Sequence, residues 1–109
     1  MINKTYAMDC FDGIKTLDNA SVNLVVTSPP YADQRKEYYN SVNEKEYPEW
    51  TVKWLQLLKP KMATGGSVCI NIRTSIKNGQ ISDYVAKTVE AIRADGWIEC
   101  EEIIWYNFI

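Results

Sequence analysis

The chain has 109 residues, of which 46% are hydrophobic and 24% are charged, and its formal net charge is −2. This length suits one domain with enough apolar residues to build a single core. Because 12 basic residues oppose 14 acidic ones, the chain lacks the positive field with which a protein binds DNA by charge alone.

The residue types present argue against a metal site and against a membrane location. There is no histidine, and Cys10, Cys69 and Cys100 are far apart in the sequence. An odd number of separate cysteines favours reduced thiols, as in the cytoplasm. No apolar run reaches the length of a membrane span, and residues 1–5 lack the apolar core of a signal peptide. The sequence therefore predicts a cytoplasmic protein without a metal ion.

Short apolar segments alternate with amphipathic ones in the first half of the chain. Lys4–Met8 is predicted to be a short strand, and Cys10–Leu17 a short helix. Asn23–Thr27 is an apolar run typical of a buried strand. Ala32–Glu46 is polar and has no helical periodicity, so we expect a long loop there.

The second half of the chain repeats this alternation. The pattern predicts a helix from Pro48 to Leu58, a turn at Gly65-Gly66 and a strand over Ser67–Arg73. Another amphipathic helix is marked by Ile81, Val85, Val89 and Ile92, with Ser82 as a candidate N-cap and Gly96 just past its end. The last predicted strand is Trp97–Tyr106. Strands that alternate with helices are typical of an α/β fold, with a mostly parallel sheet covered by helices.

The segment with the clearest chemistry is Thr27-Ser28-Pro29-Pro30-Tyr31, directly after the predicted strand. Two prolines fix φ and remove two backbone donors, which leaves carbonyls free to accept hydrogen bonds. Ser28 adds a hydroxyl and Tyr31 adds a flat ring. Ligands of α/β sheets bind at the carboxyl ends of the strands. The segment therefore suits a planar amine, such as that of a nucleobase turned out of a helix.

These residues resemble the catalytic motif of the DNA methyltransferases that modify exocyclic amines, which reads Asp, Asn or Ser, then Pro-Pro, then Tyr, Phe or Trp. The Ser-Pro-Pro-Tyr form looks most like the cytosine-N4 enzymes, and Asp-Pro-Pro-Tyr is the commoner adenine-N6 form. The resemblance extends to flanking stretches over residues 6–17, 54–60, 65–72 and 102–105.

The resemblance implies a partial Rossmann-like methyltransferase sheet, S-adenosylmethionine as the methyl donor and DNA as the substrate. It makes Ser28, Pro29, Pro30 and Tyr31 the catalytic turn: the Ser28 side chain and the Pro29 carbonyl accept from the target amine, and Tyr31 stacks on the base. This chemistry would operate through orientation and preorganised acceptors rather than through a covalent intermediate.

The resemblance also indicates residues for the cofactor and for DNA. Asp9, Thr27 and Ser28 would belong to the S-adenosylmethionine pocket, although an aspartate before a helix is equally typical of an N-cap. Arg35 and Lys36 are candidates for contacts with DNA phosphates, and the alternative is that they are merely solvated charges in a polar loop.

The chain departs from the family pattern in its later part. The Phe-x-Gly-x-Gly stretch that binds the methionine part of the cofactor does not occur, nor does any Gly-x-Gly, and no recognition region is found. We therefore expect residues 1–109 to form one domain, the catalytic half of a methyltransferase from a prokaryotic or phage modification system. Such a chain could be a fragment, one subunit of a split enzyme that associates with a complementing subunit or with itself, or an inactive interaction module.

Overall fold

The computed structural model describes residues 3–30, 32 and 42–105. The order of elements is α1 (Cys10–Lys15), β1 (Val22–Thr27), α2 (Tyr47–Leu58), a single 3₁₀ turn (Lys59–Lys61), β2 (Met62–Ile70), β3 (Ile76–Lys77), β4 (Gln80–Ile81) and α3 (Tyr84–Ala94). Helices and strands alternate up to β2, as the sequence predicts, and a short hairpin that the sequence did not predict then precedes the last helix, so that Ile81 lies in a strand.

The sheet that organises the molecule pairs β1 with β2 in parallel. Its regular register runs from Leu24 opposite Ser67 to Thr27 opposite Ile70. A register irregularity separates this ladder from the pair Val22 and Met62, which leaves extra residues on β2. The expected turn at Gly65-Gly66 is therefore an irregular stretch within β2, and regular pairing begins after it. Gly65 has a φ of 80°, a conformation that favours glycine.

Helix α2 provides the centre of the main hydrophobic core. Its buried residues Trp54, Leu55 and Leu58 pack against both other helices and against one face of the sheet. Residues packed around them include Phe11, Ile14, Val25, Val68, Ile70 and Ile92. The near-helical spacing of apolar residues that predicted α2 is thus the pattern of a helix that faces a core.

The opposite face of the sheet is uncovered in the described part of the chain. Leu24 and Val26 alternate with the core-facing Val25, and their exposed fractions are 62% and 72%. Cys69 of β2 is also exposed. Parallel sheets normally have both faces covered. This two-stranded sheet therefore presents an apolar surface that ordinary α/β proteins bury.

A second buried cluster lies beside α2 and α3. It contains Ala32, Tyr47 and Tyr84, and the rings of Tyr47 and Tyr84 meet edge to face at 5.2 Å. The Tyr84 hydroxyl donates a hydrogen bond to the Arg73 carbonyl. The cluster connects the residue after the Ser-Pro-Pro-Tyr segment to the first turns of two helices.

Glu44, which lies shortly before α2, contacts residues in and beside the hairpin formed by β3 and β4. Its carboxylate accepts hydrogen bonds from Ser75 at 2.9 Å and from Ser82 at 2.7 Å, and it lies 3.5 Å from the Lys77 ammonium. These partners, chiefly the Ser82 hydroxyl, hold the pKa of Glu44 below its usual value.

The predicted ends of two helices need small corrections. Helix α1 ends at Lys15 rather than Leu17, because the Thr16 hydroxyl donates to the Gly13 carbonyl and closes the last turn. Helix α3 begins at Tyr84, after Asp83 at the N-cap position. Ser82 is thus not the N-cap, although its hydroxyl oxygen accepts from the Tyr84 N–H at 3.5 Å. Gly96 follows α3 with a φ of 97°, as expected for a residue that ends a helix.

Two predicted strands are not formed in the described residues. Residues 4–8 and 97–105 have no regular strand structure. Their sequence favours a strand, but a strand also requires a neighbour with which to pair. The rest of the predicted final strand, Tyr106, lies outside the described residues, as does most of the predicted loop over Ala32–Glu46.

Strand β2 ends at Ile70 rather than at Arg73. The cause lies in its partner, because β1 is followed by Pro29 and Pro30, which have no N–H with which to extend the ladder. The last contact is the N–H of Asn71, which donates to the Thr27 carbonyl at 2.8 Å.

Within the described ranges, no helix is long and apolar enough to cross a membrane.

Candidate functional site

The candidate site lies where β1 and β2 end together. Since Thr27 is opposite Ile70 in a parallel pair, the chain leaves both strands at the same edge of the sheet. Ser28 and Asn71 therefore lie side by side just beyond it. The Asn71 side-chain amide donates to the Ser28 hydroxyl oxygen at 3.3 Å. This places Ser28, as predicted, at the carboxyl end of a strand, which is the ligand-binding edge of α/β sheets.

The two prolines continue the turn toward the interior. Pro29 is buried and Pro30 is half-buried. The hydroxyl of Tyr47 donates a hydrogen bond of 2.6 Å to the Pro30 carbonyl. Tyr47 itself is 0% exposed and lies at the first position of α2. The turn is therefore supported by a side chain from the buried cluster as well as by the end of β2.

Asp9 occupies the N-cap of α1. Its Oδ1 accepts a hydrogen bond of 2.8 Å from the Phe11 N–H, which stabilises the first turn of the helix. The N-cap role that the sequence left open is thus confirmed. A carboxylate has a second oxygen that can accept further hydrogen bonds, so a role for Asp9 in a cofactor pocket stays a prediction.

The structure brings only some of the predicted site residues together. Thr27, Ser28, Pro29 and Pro30 are contiguous at the sheet edge. Tyr31 lies outside the described residues, and so do the proposed DNA contacts Arg35 and Lys36. Their roles remain predictions.

Sequence reasoning did not identify the two side chains that hold the turn. Asn71 could have been found, because it directly follows a strand whose parallel pairing brings it to the same edge. Tyr47 had no such signal. It follows Pro30 by 17 positions across a polar segment, and only tertiary packing brings its hydroxyl to the turn.

No three Cys, Asp or Glu side chains gather into a possible metal site anywhere in the described part of the chain. The chemistry available at the sheet edge is instead that of oxygen acceptors. The Ser28 hydroxyl and the backbone carbonyls of a proline turn form a concentrated group of them. Such a group suits a ligand that donates hydrogen bonds, for example an amine on an aromatic ring.

Comparison with known proteins identifies relatives of this chain. A family model described as DNA methylase matches residues 22–108, a range that includes the whole turn. The Type II methyltransferase M.PvuII of Proteus hauseri is 25% identical over 94% of this chain and 31% of its own length. The Type II methyltransferase M.MjaVI of Methanocaldococcus jannaschii is 31% identical over 82% of this chain and 47% of its own.

A solved structure agrees with the sequence comparison. The PvuII DNA methyltransferase, described as cytosine-N4-specific, superposes with a TM-score of 0.68 and 25% identity over 82% of this chain and 32% of that chain. The chain thus spans between about a third and a half of the length of these relatives. The expected Rossmann-like α/β methyltransferase fold is confirmed. With its matching family model and its superposable fold, this chain belongs to the DNA methylase family that modifies the exocyclic amines of cytosine or adenine.

Proposed function

We propose that this chain forms the catalytic half of a DNA methyltransferase that transfers a methyl group from S-adenosylmethionine to the N4 amine of cytosine. The observation that carries the proposal is the position of Ser28 and the two prolines at the carboxyl end of β1. The serine in the first position of the motif, and the similarity to a structure described as cytosine-N4-specific, favour cytosine.

The turn would act on the amine through its acceptors. The lone pair of an exocyclic nitrogen is conjugated into the ring and is a poor nucleophile in that state. The Ser28 hydroxyl oxygen and the Pro29 carbonyl would each accept one amine hydrogen, which favours a pyramidal nitrogen with its lone pair directed out of the ring. Because these acceptors belong to a turn held by Asn71 and Tyr47, they need little reorganisation during the reaction.

The remaining groups would orient the base. S-Adenosylmethionine supplies, when bound, a methyl group on a positively charged sulfur, and the amine nitrogen forms the new bond to that carbon as the carbon–sulfur bond breaks. One amine proton is then lost to solvent. Tyr31 would stack on the extruded base and hold its ring in line, a contact worth about 1–3 kcal/mol in other proteins.

The residues present fit only part of a cofactor pocket. Asp9 is exposed and offers a carboxylate oxygen, and Thr27 and Ser28 lie at the sheet edge. The 109 residues contain no Gly-x-Gly, the sequence that allows a backbone to approach a cofactor closely after a strand. We therefore propose that this chain supplies some cofactor contacts, and that residues outside these 109, for example on a complementing subunit, supply the rest.

The uncovered sheet face and the net charge also support the proposal that this chain acts together with a partner. Leu24 and Val26 expose apolar surface where a parallel sheet is normally covered. With a net charge of −2, the chain would depend on Arg35, Lys36 and its partner for contact with DNA phosphates. The proposal places the protein in the cytoplasm, where DNA and reduced thiols occur together.

Adenine N6 is the alternative target, since the matching family includes both types of enzyme. Cytosine and adenine each present an amine beside a ring nitrogen, so the acceptors of the turn could hold either base.

Mass spectrometry of digested DNA tests the proposal. The protein, alone and with any chain that copurifies with it, is incubated with DNA and S-adenosylmethionine that carries a ¹³C-labelled methyl group. We expect labelled N4-methylcytosine. Labelled N6-methyladenine as the sole product would move the assignment to adenine. Labelled 5-methylcytosine would contradict the mechanism, because methylation of the ring carbon requires a cysteine nucleophile that this turn lacks.

A further inference from the structure

The two prolines limit the hydrogen bonds that the backbone of the turn can form. Pro29 and Pro30 carry no N–H, so these two residues cannot donate the backbone hydrogen bonds that help to fix a loop. Their rings fix φ, but the direction of each carbonyl depends on ψ. Donors from other segments of the chain can fix these directions.

The structure provides such donors at both ends of the turn. Asn71 donates its backbone N–H to the Thr27 carbonyl at 2.8 Å and its side-chain amide to Ser28 at 3.3 Å. Tyr47 donates its hydroxyl to the Pro30 carbonyl at 2.6 Å. The Pro29 carbonyl, a proposed acceptor of the target amine, lies between these two supports.

The Tyr47 hydroxyl is held more rigidly than the Asn71 amide. Its ring is fully buried and packs against Tyr84 at 5.2 Å and against Trp50 at 5.4 Å between ring centroids. Asn71 is exposed. A buried ring with aromatic neighbours on two sides has little freedom to rotate, so the position of its hydroxyl is set by the core.

We infer that Tyr47 is a positioning residue for the catalytic turn. By fixing the Pro30 carbonyl it restrains ψ of Pro30 and anchors the end of the turn that carries the proposed acceptors, Ser28 and Pro29. This inference rests on the proposed function. It adds that the geometry of base binding is controlled by one buried hydroxyl, that of Tyr47, on a residue that does not touch the base.

A pair of matched variants separates positioning from stability. Tyr47→Phe removes only the hydroxyl and keeps the buried ring. Tyr84→Phe does the same in the same cluster, because Tyr84 is 1% exposed and its hydroxyl also donates to a backbone carbonyl, that of Arg73. Each variant removes one hydroxyl that donates to a backbone carbonyl, so both are expected to lose thermal stability to a similar extent.

The first measurement does not depend on activity. Among the four prolines, only Pro30 precedes a tyrosine. A chain labelled with ¹³C at proline carbonyls and with ¹⁵N at tyrosines therefore gives one cross-peak in an experiment that correlates an amide with the preceding carbonyl. We expect this peak to shift in Tyr47→Phe and to stay in place in Tyr84→Phe.

The second measurement is the rate of methyl transfer. We expect Tyr47→Phe to lower kcat roughly tenfold to a hundredfold, with little change in KM for S-adenosylmethionine, since small misplacements of reacting groups have effects of this size. Tyr84→Phe should stay within about twofold of the unmodified protein, a difference of about 0.4 kcal/mol. A stationary cross-peak, or equal rates in both variants, would overturn the inference. If the unmodified protein methylates no base even together with its complementing subunit, the proposed function fails, and the cross-peak still decides whether Tyr47 holds the turn.

Discussion

Replacement of Ser28 by alanine is the sharpest test of the proposed chemistry. The variant removes one hydroxyl that would accept from the target amine and leaves the backbone of the turn unchanged. Loss of one preorganised hydrogen-bonding group in an active site lowers kcat by about a hundredfold or more. A hundredfold loss corresponds to about 2.7 kcal/mol of transition-state stabilisation.

The effect of Ser28→Ala on the free energy of unfolding should be much smaller than its effect on the reaction rate. The hydroxyl of Ser28 is exposed, and the Asn71 amide that donates to it at 3.3 Å is exposed as well. Water can replace the lost partner of Asn71, so we expect the free energy of unfolding to change by less than about 0.5 kcal/mol. Ser67→Ala is the matched control, because Ser67 is an exposed serine in the neighbouring strand β2.

Initial rates of methyl transfer to DNA, measured beside thermal unfolding by circular dichroism, decide the outcome. The assay uses an active form of the protein, either the chain alone or the chain with its complementing subunit. The reasoning is refuted if Ser28→Ala transfers methyl groups within about threefold of Ser67→Ala, because the hydroxyl would then contribute less than about 0.7 kcal/mol.

Three further predictions concern the base, the acid stability and the uncovered sheet face. Tyr31→Ala should slow methylation by about tenfold or more, because the ring would no longer stack on the base. Tyr31→Phe should be tolerated in the same assay, because the hydroxyl does not take part in stacking. Equal rates for the two variants would remove Tyr31 from the site. The lowered pKa of Glu44 should stabilise the fold above the usual pKa of a glutamate, and this contribution should be lost as the pH falls through the lower pKa of the folded state. In urea unfolding, Glu44→Gln should lose less stability than the unmodified protein between neutral pH and about pH 3, and an unchanged pH profile would contradict this. The isolated chain should bind S-adenosylmethionine poorly in calorimetry and should self-associate through its apolar sheet face. Sedimentation should therefore show a smaller species for the double variant Leu24→Lys/Val26→Lys than for the unmodified chain. An unmodified chain that is monomeric and turns over rapidly would contradict both expectations.

The elements predicted with success are those whose signals are local. Helix α2 follows from the spacing of its apolar residues and from Pro48 in its first turn. Strand β1 follows from an apolar run that ends at a Pro-Pro pair, and the same pair places the turn at the sheet edge. Hydrophobic period and backbone restriction are properties of neighbouring residues, so the sequence expresses them directly.

The predictions that failed, and the contacts that the sequence did not indicate, depend on residues far apart in the chain. Residues 4–8 and 97–105 have strand-forming composition, yet pairing is not local, and no ladder forms along them. Strand β2 stops at Ile70 because its neighbour β1 runs into prolines. The support of the turn by Asn71 and Tyr47 likewise depends on contacts between residues that are distant in the sequence. The sequence alone thus predicts which residues would bind an amine, whereas tertiary packing decided which side chains hold the turn. The reason is that a hydrogen bond between residues far apart in the chain requires the packed fold to bring them together.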